Sequence, residues 1–241
     1  MTQAVHYRLE GRKRGLSIRS WLMMGGILFV TAVLTRLLPF SEFFRNVNTL
    51  IHEMAHAVVT LLLSGDVMYI YLFSDQSGVT LSSYSGKGTA VFIALAGYVG
   101  SSLFTVLLFY LYARRREGLG LVIVTILAAI GLALFVRNGY GMAWCAGFGV
   151  LTGFIYAFAP PWLKTGYYTL IAFIFLVESV ISSFVILSLS FVKPEAAGDA
   201  AILGQMTVMP AFAWSLLFVV FALWCAKVST GLLFRRGFGK E

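Results

Sequence analysis

The sequence predicts an all-α polytopic membrane protein of about six to seven transmembrane helices, with a short β-hairpin after the second. Three observations carry this. Hydrophobic residues fill 59% of the 241 positions and charged residues only 12%, whereas a soluble domain holds about 45–50% apolar and 25% charged residues. A chain so poor in charge cannot cover a water-facing surface and needs lipid as its solvent. The apolar residues gather into runs close to the 20 or so that a helix needs to cross a bilayer. The basic excess, a net charge of +8, clusters beside those runs, as it does in loops on the cytoplasmic side of a membrane.

Each element follows in order. Arg8, Arg12, Lys13, Arg14 and Arg19 make residues 1–19 a basic cytoplasmic tail, in which His6 is a surface residue. The run at 20–39 is long, and Leu38-Pro39-Phe40 offers no small-x-small cleavage site, so it reads as a retained helix rather than a signal peptide. The run at 47–64 is short and holds the most polar groups. Val67–Phe73 is β-branched and aromatic, Ser74-Asp75-Gln76-Ser77-Gly78 has turn chemistry, and Val79-Thr80-Leu81 is β-prone again, which predicts a hairpin. Open strand edges facing lipid would leave backbone groups unpaired, so this hairpin must sit in protein, in a cavity or at the interface.

Further apolar helices are expected at 88–113, 119–136, 141–159, 166–191 and 208–228. Arg114, Arg115 and Arg116 separate two of them, and Lys193–Asp199 is a polar interruption before the last. Residues 20–228 form one membrane domain, and 229–241, with Arg235, Arg236 and Lys240, a second basic tail. No soluble fold exists to present a basic face to nucleic acid. Cys145 and Cys225 both lie in apolar runs, so neither a disulfide framework nor a Cys-based metal site is expected.

The chemistry concentrates in His52-Glu53-Met54-Ala55-His56. On a helix, residues four apart share a face, so both imidazoles can reach one tetrahedral zinc. Glu53 is offset by one residue and can act on the metal-bound water as general base without being a ligand. Two histidines and a glutamate within an apolar helix are costly and read as functional by default. Two of the three histidines in the chain are used here. One Zn2+ per chain still needs a third protein ligand, and a carboxylate suits it. Glu42, Asp66, Asp75 and Glu117 have local explanations as helix-start, turn or solvated acids. Glu178, in the middle of an apolar run, and Asp199, following Gly198, both remain. A membrane metal-binding or transport protein, or a catalytically silent pseudoprotease, would use the same residues, although transport alone has no need of Glu53.

Several further segments resemble the bacterial M50B-like membrane metallopeptidases of the site-2-protease clan. They are His52–Ala57, Ser64-Gly65-Asp66-Val67, Ser77-Gly78-Val79-Thr80, Ala96-Gly97-Tyr98-Val99-Gly100-Ser101, Val136-Arg137-Asn138 with Gly141, and Gly198–Leu203 with Thr207 and Pro210. The resemblance runs over roughly residues 48–220. It implies a protease that cuts transmembrane protein or peptide substrates within or near the lipid bilayer, in a bacterial inner membrane. It tips the third ligand toward Asp199, although the order here is Gly198-Asp199 rather than the clan's usual Asp-Gly. It also implies that Asn138 and Arg137 contact substrate or an oxyanion.

Overall fold

A computed structural model describes residues 18–37 and 41–238. The expectations for His6, for the basic residues at 8–14 and for Lys240 lie outside the described residues. The elements are α1 (Ile18–Leu37), α2 (Ser41–Leu62), β1 (Asp66–Leu72), β2 (Gly78–Ser83), α3 (Lys87–Ala113), α4 (Glu117–Ile130) continued by a π-helical turn at Gly131–Phe135, α5 (Gly139–Phe158), α6 (Pro161–Val192), α7 (Gly198–Met206) and α8 (Ala211–Phe238). Among the described residues, five helices are long and apolar enough to cross a membrane: α3, α4 with its π turn, α5, α6 and α8. A shorter apolar stretch, Trp21–Thr35, lies in α1. The chain is an all-α polytopic membrane protein with one small hairpin.

The bundle is apolar outside as well as inside. Val150, Phe154, Phe158, Val185, Phe191 and Val220 are all exposed, a surface that suits acyl chains and not water. At its centre α3 packs against α2, α6, α7 and α8. Close contact between α3 and α2 depends on Gly100, where a Cβ would come within 2.6 Å of the Ala55 Cβ. Small residues at such crossings let two backbones approach in a bilayer, where no hydrophobic effect drives helices together. Buried polar groups lock other contacts. Tyr168 Oη donates to the Leu108 carbonyl at 2.7 Å, and Trp144 Nε1 to the Phe43 carbonyl at 2.7 Å.

α2 starts at Ser41, earlier than the expected 47, and it is not among the five apolar helices. Its polar side chains explain both facts. Asn46, Asn48, Thr49, Glu53, His56 and Thr60 are buried, while Val58, Leu61 and Leu62 face outward. That is the reverse of a helix on a water-soluble protein. The groups near its start find protein partners. Arg45 pairs with Glu178, and Asn46 Nδ2 donates to Tyr140 Oη at 2.6 Å.

β1 and β2 pair antiparallel, Ile70 opposite Thr80 and Tyr71 opposite Val79, with an irregularity between Val67 and Tyr69. In the turn, the Ser77 amide and hydroxyl donate to Asp75 Oδ1 at 3.0 and 2.6 Å. These bonds favour the ionised form and hold the Asp75 carboxyl below its ordinary value. The other edge of β1 is closed too. Ile70 bridges Val136 in parallel, and the Arg137 amide donates to the Ile70 carbonyl at 3.1 Å. The Asn138 side chain then imitates a peptide group: Nδ2 donates to the Leu72 carbonyl at 2.6 Å, and Oδ1 accepts from the Leu72 amide at 3.1 Å. Backbone groups that lipid could not satisfy are thereby paired within protein.

Two differences from the sequence reading concern the last third of the chain. The polar interruption after residue 192 leads into a nine-residue helix, α7, before the last long one. α8 runs on to Phe238, so the segment from 229 continues the helix instead of leaving it.

Candidate metal centre

Three elements distant in sequence meet at one point. α2 presents His52 and His56 on one face, their ring centroids 4.8 Å apart. α3 packs Gly97 against them. α7 delivers Asp199 from its first turn. His52 Nε2 stands 3.2 Å and His56 Nε2 3.3 Å from Asp199 Oδ2. The three donor atoms lie within 4.8 Å of one another.

The ring of His56 is set by its surroundings. Its Nδ1 lies 2.7 Å from the Ile93 carbonyl, which can only accept, so Nδ1 carries a proton and Nε2 is the ring atom turned toward Asp199. A backbone carbonyl behind a ligating imidazole is the usual device for fixing ring and tautomer. His52 is held by an edge-to-face contact with Tyr98, ring centroids 4.7 Å apart.

The group fits zinc on three counts. Two imidazoles and a carboxylate are the donor set of hydrolytic zinc sites that keep a fourth position open. Donors about 2.0–2.1 Å from a shared tetrahedral zinc stand roughly 3.3–3.4 Å apart, which matches the two Nε2–Oδ2 separations. Asp199 Oδ2 is shut off from solvent, and among the described residues the two ring nitrogens, at 3.2 and 3.3 Å, are the polar atoms recorded beside it. Gly97 keeps the space free. A Cβ there would sit 2.5 Å from His56 Nε2 and closer still to His52 Nε2, so any larger residue would occupy the position where the donors converge.

Glu53 is buried on the adjacent face of α2 and is held by the hairpin. Thr80 Oγ1 donates to its Oε2 at 2.6 Å, which leaves Oε1 without that constraint. Gly78 gives Oε1 room, since a Cβ at that position would lie 2.6 Å from it. The hairpin is itself tied to α2 by Thr49 Oγ1, which donates to the Gln76 carbonyl at 2.8 Å.

Of the candidate residues, the structure brings His52, His56 and Asp199 together, with Glu53 beside them. Glu178 is elsewhere, its Oε1 and Oε2 bound by Arg45 Nε and Nη2 at 2.7 and 3.3 Å. Asn138 and Arg137 lie behind the hairpin. The Asn138 amide is committed to Leu72, and the Arg137 guanidinium caps the π turn by donating to the Leu134 and Val136 carbonyls at 2.6 and 2.9 Å. Sequence reasoning reads Gly97 first as a helix-packing residue, with lining of the groove as the alternative, and misses Thr80 and Gly78 as neighbours of Glu53. The alternation of β2, which sends Gly78 and Thr80 to one face, was the available signal for these two.

Comparison with known proteins gives a family and nothing narrower. A family model described as Peptidase M50B-like matches residues 23–229. No curated protein and no solved structure matches the chain.

Proposed function

The chain belongs to the Peptidase M50B-like family, and from that membership we propose that it is a zinc-dependent intramembrane endopeptidase. The observation that carries the proposal is the His52, His56 and Asp199 group, its donors within 4.8 Å of one another, with a hydrogen-bonded Glu53 beside it. His52 Nε2, His56 Nε2 and Asp199 Oδ2 would hold the ion. Zinc bound there supplies a Lewis acid for the scissile carbonyl and lowers the pKa of a water toward about 7.

The chain's own residues do the rest. Glu53 takes the proton of the attacking water at its carboxylate, while the water oxygen bonds to the carbonyl carbon. As the C–N bond breaks, Glu53 passes that proton to the departing amine nitrogen. Thr80 fixes Glu53 Oε2 so that the carboxylate keeps one orientation through both transfers. The edge of β2 not paired with β1 offers an extended substrate backbone a strand to add to, close to Glu53. Substrates are transmembrane proteins or peptides, met in the bilayer of a bacterial inner membrane.

Zinc per chain, measured on detergent-purified protein, tests this reading. Wild type is expected to hold about one ion, and His56→Ala and Asp199→Ala to hold none. Glu53→Gln should keep zinc and lose roughly 10²–10⁴-fold in peptide cleavage. Wild-type protein that takes up no zinc on reconstitution, or Glu53→Gln protein that cleaves as wild type does, would overturn it.

A further inference from the structure

Hydrolysis places negative charge on the scissile carbonyl oxygen, in a centre that already holds the carboxylates of Glu53 and Asp199. A neutral donor aimed at that oxygen is therefore of use, and several of the hydroxyl and amide donors around the hairpin are committed. Thr80 Oγ1 donates to Glu53, and Thr49 Oγ1 to the Gln76 carbonyl. The Asn138 amide is bound to Leu72, and both Arg45 and Arg137 are held by other partners.

Tyr98 differs. Its ring is clamped between the edge contact with His52 and a stack on Phe218, centroids 4.6 Å apart at 23°. Ala200 and Ala201 of α7 belong to the same packed cluster, and the residue is only 7% exposed. Yet its hydroxyl, unlike those of Tyr140, Tyr167 and Tyr168, has no hydrogen-bond partner among the described residues. Its ring lies directly against His52 and packs on α7, the helix that carries Asp199, which sets the residue beside the centre.

We infer that Tyr98 is a catalytic residue whose Oη–H donates a hydrogen bond to the scissile carbonyl oxygen as it becomes an oxyanion. The inference rests on the protease reading above and adds to it the group that meets the developing charge. A rigid phenol suits this role: its ring is fixed by packing before substrate arrives, so no reorganisation accompanies the reaction, and that preorganisation is what makes such donors effective.

Tyr98→Phe is the test, because it keeps both ring contacts and removes one oxygen. The probe is a set of apolar peptides of about 20 residues in detergent micelles, with cleavage followed by mass spectrometry. Alongside it, calorimetry measures the binding of a phosphinic peptide, whose anionic oxygen resembles the oxyanion. Expected are about one zinc per chain, an unchanged melting temperature and KM, a kcat lower by about 10²–10³-fold, and weaker binding of the phosphinic peptide. A Tyr98→Phe enzyme with kcat within twofold of wild type, in a preparation where Glu53→Gln is inactive, would overturn the Tyr98 role and leave the protease reading standing. Zinc lost from Tyr98→Phe would also overturn it, since the residue would then be supporting His52 and not the oxyanion. Zinc-loaded wild type that cleaves no peptide and binds no phosphinic peptide would remove both readings together.

Discussion

Two largely enclosed acids sit in neighbouring parts of the bundle under opposite conditions. Glu178, on α6, receives a two-pronged guanidinium from Arg45 on α2, and the two side chains are 9% and 11% exposed. Asp199, on α7, faces two imidazole nitrogens, and its Oδ2 is shut off from solvent. A buried carboxylate with its own cation is complete and holds helices in place. One that faces two ring nitrogens and no guanidinium or ammonium has the donor set of a metal site. In a membrane, where either acid alone is costly, the difference between them separates architecture from chemistry.

The sharpest way to break this comparison is to neutralise each acid's side of it. Asp199→Asn should empty the centre of zinc and bring cleavage to background, while the metal-free protein melts no lower than metal-free wild type. Arg45→Met should do the reverse. It takes the guanidinium away from a buried carboxylate, and losing one partner of such a pair costs about 3–5 kcal/mol, read as a lower melting temperature in detergent. The fraction that stays folded should keep one zinc per chain. The double variant Arg45→Met with Glu178→Leu should recover most of the loss. If Arg45→Met empties the zinc site without lowering stability, the two regions are not separable in this way. A smaller effect is expected at Thr80. Thr80→Val frees Glu53 Oε2 and should lower kcat by roughly tenfold to a hundredfold with zinc content unchanged, and Thr80→Ser should restore it. Smallest is Asn138→Ala, which leaves the Leu72 amide and carbonyl unpaired. It should speed proteolytic nicking and hydrogen exchange in the hairpin more than it changes zinc content.

The same two acids show how far the sequence could be read. His52 and His56 declare themselves because the relation between them is local, four residues on a helix. The hairpin is legible for a similar reason, since its turn chemistry and β-branched strands are contiguous. The choice between Glu178 and Asp199 is not local. It turns on Arg45, 133 residues from Glu178, and no periodicity links the two. α7 escaped because nine residues opening on Gly198-Asp199 read as the tail of a polar loop. The sequence sets the start of α2 late because Arg45 and Asn46 look wrong for a membrane helix until their pairing with Glu178 and Tyr140 is known. Asn138 offered a plausible catalytic amide, and only the strand beside it reveals the peptide-like pairing.

One consequence follows from where Asp199 stands in the chain. A polypeptide is made and inserted N-terminus first, so His52 and His56 reach the bilayer while most of the helices are still to come. The three-donor group cannot assemble until α7 has been synthesised and has docked on α3. A nascent chain carries the HExxH helix through most of its biogenesis without the third donor, and a truncated product never acquires it. On the proposed reading, completion of the bundle is therefore the step that would bring the third donor to the HExxH helix.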